Sequence, residues 1–258
     1  GFFGNRLYAN IDLYDKVTSG MLWEYSVAVP PVLHNQIANV GGMSNQGIEV
    51  FIGGTPVQTK NFEWNTTLTL AHNRNKLLSM SNDIYETEDY LDGGLTEDPV
   101  SMATQRAYIG DAIGSFHMLK TVGVVSEGSR MGTWLIEDPE TGEAVPFDSG
   151  MRNYDSRFRQ NCGSALPKLT MGWSNTLRFF DFDLTMAFSG QFGHNIFNCQ
   201  RMFYENLNIG LNRYKSAVAP VYGTTLSRSQ EPVAVSYYLE DGDYVKLDNL
   251  TLGYTFNT

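Results

Sequence analysis

The sequence predicts an all-β chain built from antiparallel strands. Three observations predict it. Apolar residues recur at a period of two, no segment carries a long helical stripe, and very short connections alternate with very long ones.

The strands follow in order. Leu7, Ala9, Ile11 and Leu13 share one face, while Tyr8, Asn10 and Asp12 take the other. A helix would scatter these residues around a cylinder; a strand sorts them. Met21, Trp23, Tyr25, Val27 and Val29 suggest a further strand ahead of Pro30-Pro31. Ile48, Val50 and Ile52 alternate with Glu49 and Phe51. In 62–70 one face carries Phe62, Trp64, Thr66, Leu68 and Leu70, the other Glu63, Asn65, Thr67 and Thr69. Met171, Trp173, Leu177 and Phe179 alternate with Gly172, Ser174, Thr176 and Arg178, and Asn175 intrudes on the apolar side. Phe182, Leu184, Met186 and Phe188 alternate with Asp183, Thr185, Ala187 and Ser189. Leu250, Leu252, Tyr254 and Phe256 alternate with Thr251, Gly253 and Thr255.

The connections are unequal. Phe179 and Phe182 leave room only for a tight hairpin. Ile52 and Phe62 are joined by Gly53-Gly54-Thr55-Pro56 and a short polar stretch. Residues 73–168 and 191–244, by contrast, are long excursions of the kind that carry function. If the tight turns share one side, 62–73 runs away from it and 169–179 returns, so an even number of wall strands, zero included, separates them. The stretch 115–125 is strand-like, but its apolar residues do not sort onto one face, and it is assigned to the first excursion.

Composition narrows the function. A hydrophobic share of 42% with 18% charged residues excludes a disordered chain. A net charge of −10, without a Lys/Arg cluster, excludes nucleic acid as a partner. No window reaches the roughly 18 apolar residues of a membrane helix, which a β-barrel does not need. Alternation alone fits two architectures. In a soluble or surface-attached β-sandwich that binds carbohydrate, the apolar faces meet each other. In a membrane barrel they meet lipid, and the polar faces line a wet lumen. Aromatics beside the short turns (Phe62, Trp64, Phe179, Phe182) and a polar face rich in small residues favour the barrel.

Several segments resemble the C-terminal barrel of the SusC/RagA family of TonB-dependent outer-membrane transporters. They are the start of the chain with its Tyr14-Asp15-Lys16, the run Asn39-Val40-Gly41-Gly42 through Asn45-Gln46-Gly47-Ile48-Glu49, and Phe62-Glu63-Trp64-Asn65-Thr66 with Asn73-Arg74-Asn75-Lys76. Further along, Ile113-Gly114-Ser115-Phe116, the hairpin ending Gly190…Gly193…Ile196-Phe197-Asn198, and Tyr244-Val245-Lys246-Leu247…Thr251-Leu252-Gly253-Tyr254 also match, in the family's order. The resemblance implies a large transmembrane β-barrel of about 22 strands with short periplasmic turns and long extracellular loops. Residues 1–258 would form its C-terminal part, with signal sequence, plug and final strands lying elsewhere. It implies active import of oligosaccharide or peptide across the outer membrane, and outer-membrane lipid around the wall. Its partners would be a SusD-like surface lipoprotein and the TonB complex, reached through the plug.

On this reading the lumen-facing, substrate-contacting candidates are Asn10, Asp12, Glu49, Asn65, Thr67, Thr69, Ser174, Thr176, Arg178, Asp183, Thr185 and Ser189. Gly41, Gly42, Gly47, Gly190 and Gly193 are expected to allow a positive φ, a bulge or a relaxed strand end. No catalytic motif, cofactor or metal site is expected. His34, His72, His117 and His194 lack ligand spacing, Asp138-Pro139-Glu140 lacks a calcium-loop pattern, and GxSxG is absent. The aromatic-rich stretch 192–222 reads first as a loop packed on itself, and second as a surface for stacking on sugar rings. Cys162 and Cys199 read as separate thiols rather than a bridge.

Overall fold

The structure, a computed structural model, describes residues 2–4, 6–26, 35–81, 90–96, 98, 100–153, 155–210 and 212–256. Three long strands come first: β1 (Leu7–Ser26), β2 (Asn35–Gln58) and β3 (Phe62–Ser79). Shorter ones follow: β4 (Tyr90–Leu95), β5 (Ala103–Tyr108), β6 (Ser115–Leu119), β7 (Thr121–Val124), β8 (Trp134–Glu137), β9 (Ala144–Pro146) and β10 (Arg159–Ser164). β11 (Leu169–Phe179) and β12 (Phe182–Phe192) form a hairpin. Then come β13 (Asn195–Phe197), helix α1 (Cys199–Tyr204), β14 (Leu239–Asp241) and β15 (Tyr244–Tyr254). The strand expected over residues 21–29 is the continuation of β1; Val27, Val29 and Pro30-Pro31 lie outside the described residues.

The chain divides into two units. The first holds one antiparallel sheet in the order β1-β2-β3-β11-β12-β15. No wall strand separates β3 from β11, so the even number is zero. The second unit contains 88–166 and 195–241, including both strands cut from 115–124, which therefore belong to the excursion. Its core gathers Trp134, Ile136, Leu119, Met202, Val233, Val235 and Tyr238, all essentially inaccessible. Phe197, Phe203, Val221 and Tyr237 pack against that core, so much of the aromatic-rich stretch folds onto its own unit. Cys162 and Cys199 are unbridged.

Register sorts the sheet into two faces, because residues directly opposite in an antiparallel pair share a side. One row runs Phe62–Phe179–Phe182–Tyr254 across four strands beside the tight turns. Above it lie Trp64–Leu177–Leu184–Leu252, then Ile52–Leu68–Trp173–Phe188–Leu247, then Ile11–Val50–Leu70–Met171. No described element of the first unit packs on this face, and Ile11, Leu250 and Leu252 are more than 60% exposed. A sandwich would bury it, so the soluble alternative loses its defining feature.

The apolar band has a measurable height. β11 and β12 each have 11 residues, about 37 Å at ~3.4 Å per residue. Tilted by about 45°, such a strand rises about 26 Å, close to the ~25 Å apolar band of outer-membrane barrels. On β1 and β3 the same face turns polar at Asp15 and Arg74, in the row Asp15–Gln46–Arg74, where Gln46 Nε2 donates to Asp15 Oδ2 at 3.1 Å. β1, β2 and β3 continue beyond that row at the long-loop end. This corrects the shorter strands expected from alternation alone, since beyond the band apolar residues stand on both faces, Ala38 and Leu77 buried beside the exposed Ile37 and Leu78, and period two is lost.

The glycine expectations divide. Gly193 has φ +77°, and Gly41 and Gly42 lie at register shifts against β1 and β3, the bulge expected there; Gly47 and Gly190 are not left-handed. Gly47 is needed for a different reason: a Cβ there would strike the Tyr14 ring lying across it. The tight hairpin uses Phe180 at φ +50° in place of glycine, clamped by Phe180 N donating to Asn61 O and Thr255 N to Asp181 O.

Asn175 and its partner Thr66 sit in the middle of the apolar face yet are covered by two indoles. Trp64 Nε1 donates to Asn175 Oδ1 at 3.0 Å, and Trp173 Nε1 donates to Thr66 Oγ1 at 3.0 Å. Asn175 is 3% exposed. The tryptophans thus satisfy one acceptor on each member of a polar pair set among hydrocarbon, while Asn175 Nδ2 has no partner among the described residues. Trp64→Phe is expected to lower the wall's stability by about 1–3 kcal/mol by leaving a buried acceptor unmade. Adding Asn175→Leu should recover most of that loss, read as the temperature at which folded-form gel mobility disappears. An additive double variant would contradict the coupling.

Candidate functional site

All twelve candidate residues fall on the polar face, and register decides it. Asp12 lies opposite Glu49, Asn10 opposite Phe51, and Thr69 in line with Gly172 and Ser189. Thr67 aligns with Ser174, Asn65 with Thr176 and Thr185, and Arg178 with Asp183.

Two groups form within the set. At the tight-turn end, Arg178 Nη2 donates to Glu63 Oε2 at 3.1 Å, and Asn65 Nδ2 to Glu63 Oε1 at 2.7 Å. Thr55 Oγ1 donates to Asn65 Oδ1 at 2.5 Å, and Gln58 Nε2 reaches Glu63 at 3.4 Å. Asp183 faces Gly253, where any Cβ would run into its carboxylate. At the other end Asn10 Nδ2 donates to Asp12 Oδ2 at 2.7 Å, and Asp12 sits directly across from Glu49. Like charges opposed in this way repel, a cost tolerable where water screens them. Between the two groups, Thr67, Thr69, Ser174, Thr176, Thr185 and Ser189 make a carpet of short hydroxyl groups. Such a surface offers donors and acceptors at low relief and holds no nucleophile–base arrangement.

Other members of this face were not among the candidates, Glu63 and Lys246 among them. Glu63 is the hub of the first group, and strict alternation already places it there. Lys246 is different: alternation back from Leu250 assigns it to the apolar side. A register shift between Ala187 and Phe188 leaves Asp248 as an extra residue, so Leu247 and Val245 turn to the apolar face and Lys246 to the polar one. Lys246 Nζ then pairs with Asp248 Oδ1 at 2.7 Å.

No family model matches the chain. Over 98% of its length it is 26% identical to the TonB-dependent receptor P26 of Formosa agariphila, of which it covers 26%. The TonB-dependent receptor SusC of Bacteroides thetaiotaomicron is 23% identical over 99% of this chain and 25% of its own length. The solved RagAB peptide transporter superposes with a TM-score of 0.74 at 23% identity, over 98% of this chain and 27% of that one. The chain is SusC/RagA-like. It spans about a quarter of the length of the relatives it matches.

In this SusC/RagA-like chain the second unit carries the strongest charge perturbations. Asp138, in the acidic turn, is taken up by Arg157 at 2.8 Å, which holds its carboxyl below the usual range. Burial raises the Cys162 thiol to about 11, which keeps it protonated and unreactive. His117, on β6, is pushed down to about 4, first by burial and then by the Arg159 and Arg106 cations, against weaker pulls from Asp92 and Asp111. Its ring also meets Tyr108 edge-on at 5.6 Å. A base whose folded value lies below its ordinary 6.5 binds fewer protons folded than unfolded between those values. Stability of this unit should therefore be complete above about pH 6.5 and fall by about 2–3 kcal/mol as pH drops toward 4. His117→Gln should flatten that slope in a pH series of denaturant midpoints; an unchanged slope would assign it to other groups.

Proposed function

We propose that this chain is barrel wall and extracellular loop of an outer-membrane importer that moves oligosaccharide or peptide through a lumen lined by the polar face of its sheet. The observation that carries this reading is the two-faced sheet. An uncovered apolar face of bilayer height backs onto a face of hydroxyls, amides and paired charges. Residues that face lipid must be apolar, and those that face a wet passage must offer hydrogen bonds to a hydrated solute. The SusC likeness supports active transport, and the likeness to the RagAB peptide transporter supports the barrel fold.

On this reading the tight turns are periplasmic and the second unit is extracellular. Asn10, Asp12, Glu49, Asn65, Thr67, Thr69, Ser174, Thr176, Arg178, Asp183, Thr185 and Ser189 contribute hydration and weak contacts along the passage, not catalysis. The edges of the sheet at β1 and β15 are closed by further strands of the same receptor, because an unpaired edge is not tolerated in lipid. Its partners are a SusD-like surface lipoprotein, at the extracellular end, and TonB acting through a plug domain; energy comes from TonB and not from a cofactor.

The test is to express the parent receptor, separate inner and outer membranes, and run the outer fraction on gels with and without heating. Outer-membrane recovery with a heat-dependent mobility shift is the expected result. A monomeric protein in the soluble fraction that needs no detergent would overturn the reading.

A further inference from the structure

The second unit contains a cleft of about 490 Å³, lined by Tyr90, Asp92, Gly93, Leu95, Ala103, Arg106 and Asp155. Its size lies within the range of small-molecule sites. Arg106 forms its floor: the side chain is 3% exposed, yet it engages both carboxylates of the cleft. Nε donates to Asp92 Oδ1 at 2.6 Å and Nη2 to Asp92 Oδ2 at 2.8 Å, a two-pronged grip. Nη1 reaches Asp155 Oδ1 at 3.4 Å, and the guanidinium lies 3.7 Å from the centre of the Tyr90 ring. A buried ion pair is a poor way to stabilise a short sheet, since desolvation consumes most of its Coulomb energy. It is a good way to hold two carboxylates and a phenol ring in fixed orientations.

We propose that this cleft is a subsite for a neutral sugar residue of an oligosaccharide. Two carboxylates against one guanidinium leave an excess negative charge, which disfavours sugar acids and other anions. Each Asp92 oxygen spends one lone pair on Arg106 and keeps another to accept a hydroxyl. Asp155 is largely exposed and adds a second set of acceptors at the rim. Leu95, 72% exposed, also lines the cleft and offers an apolar edge to the C–H face of a pyranose ring. Sugars need this pairing of dense hydroxyl acceptors with a flat apolar patch. An extended peptide would instead add to the outer edge of β4, the end strand of its sheet. Gly94, at φ +63°, breaks the extended run in that edge and removes the straight ladder such a peptide requires. The proposal deepens the import reading and rests on it, by choosing oligosaccharide over peptide as cargo.

The experiment uses the full receptor in outer-membrane vesicles. It is titrated with maltohexaose, cellohexaose, xylohexaose and mannohexaose, and with oligogalacturonate and a lysine-containing hexapeptide as comparators. At least one neutral hexasaccharide should bind. Asp155→Ala should weaken it about tenfold, the loss of one charge-assisted hydrogen bond, without changing heat-modifiable mobility. Asp92→Asn, which keeps an acceptor for Arg106, should weaken it as well, and Leu95→Ser by a smaller factor. Neutral-sugar binding that ignores both aspartate variants, preference for oligogalacturonate, binding of the hexapeptide alone, or binding of none of these probes would overturn the proposal. None of those outcomes touches the import reading, whose failure shows separately as a receptor that does not fractionate with the outer membrane.

Discussion

β3 and β11 run side by side through ten consecutive partners, from Phe62 opposite Phe179 to Ala71 opposite Thr170, and the organisation of the sheet depends on that seam. The two strands are far apart in sequence, with the whole first excursion looped out between them. Joining them costs chain entropy that only a long, continuous ladder repays. The seam then fixes everything that crosses it. Phe62 meets Phe179 edge to face at 6.5 Å, Trp64 and Trp173 cover the Thr66–Asn175 pair, and Arg178 reaches Glu63. A slip of one residue would turn Trp64 and Leu177 to the polar side and place Glu63 and Arg178 against hydrocarbon. A misplaced charge near the bilayer midplane costs about 2–4 kcal/mol, and one near the interface less, so several together select a single register.

The height of the apolar band follows from the same pairing. Its lower limit is an aromatic row contributed by four strands, and its upper limit is the polar row at Asp15, Gln46 and Arg74. Phe and Tyr beside the tight turns tolerate the transition from chain to headgroup, while the long-loop end leaves the band through charged and amide side chains. The excursions can then fold as a separate unit with its own core around Trp134 and Tyr238.

Much of the wall was legible in the sequence. The alternations at 7–13, 48–52, 62–70, 171–179 and 182–189 need nothing but period two, and they assigned all twelve polar candidates to one face. Three things were hidden, each for a physical reason. β2 and β3 extend past the band, where apolar residues such as Ile37 and Ala38, or Leu77 and Leu78, follow one another on both faces and no alternation survives. The extra residue at Asp248 inverts the parity of Val245–Leu247, so Lys246 changes sides without any local signal. The cleft around Arg106 joins Tyr90, Asp92 and Asp155, which are brought together only by the pairing of β4 with β5 and the return of a loop. Glycine reasoning succeeded at the bulge beside Gly41 and Gly42, and missed the reason at Gly47, where the demand comes from a ring on a neighbouring strand.

The central claim is that one face of this sheet meets lipid and the other meets water, and single-cysteine labelling along β11 tests it most directly. In a receptor whose Cys162 and Cys199 are replaced by serine, cysteines are placed in turn at Ser174, Asn175, Thr176, Leu177 and Arg178. They are then exposed to a membrane-impermeant maleimide in intact outer-membrane vesicles. The account predicts fast labelling at 174, 176 and 178 and slow labelling at 175 and 177, the reverse of their access to a lipid-dissolved quencher. Uniform labelling, or protection of the even-numbered positions, would contradict it.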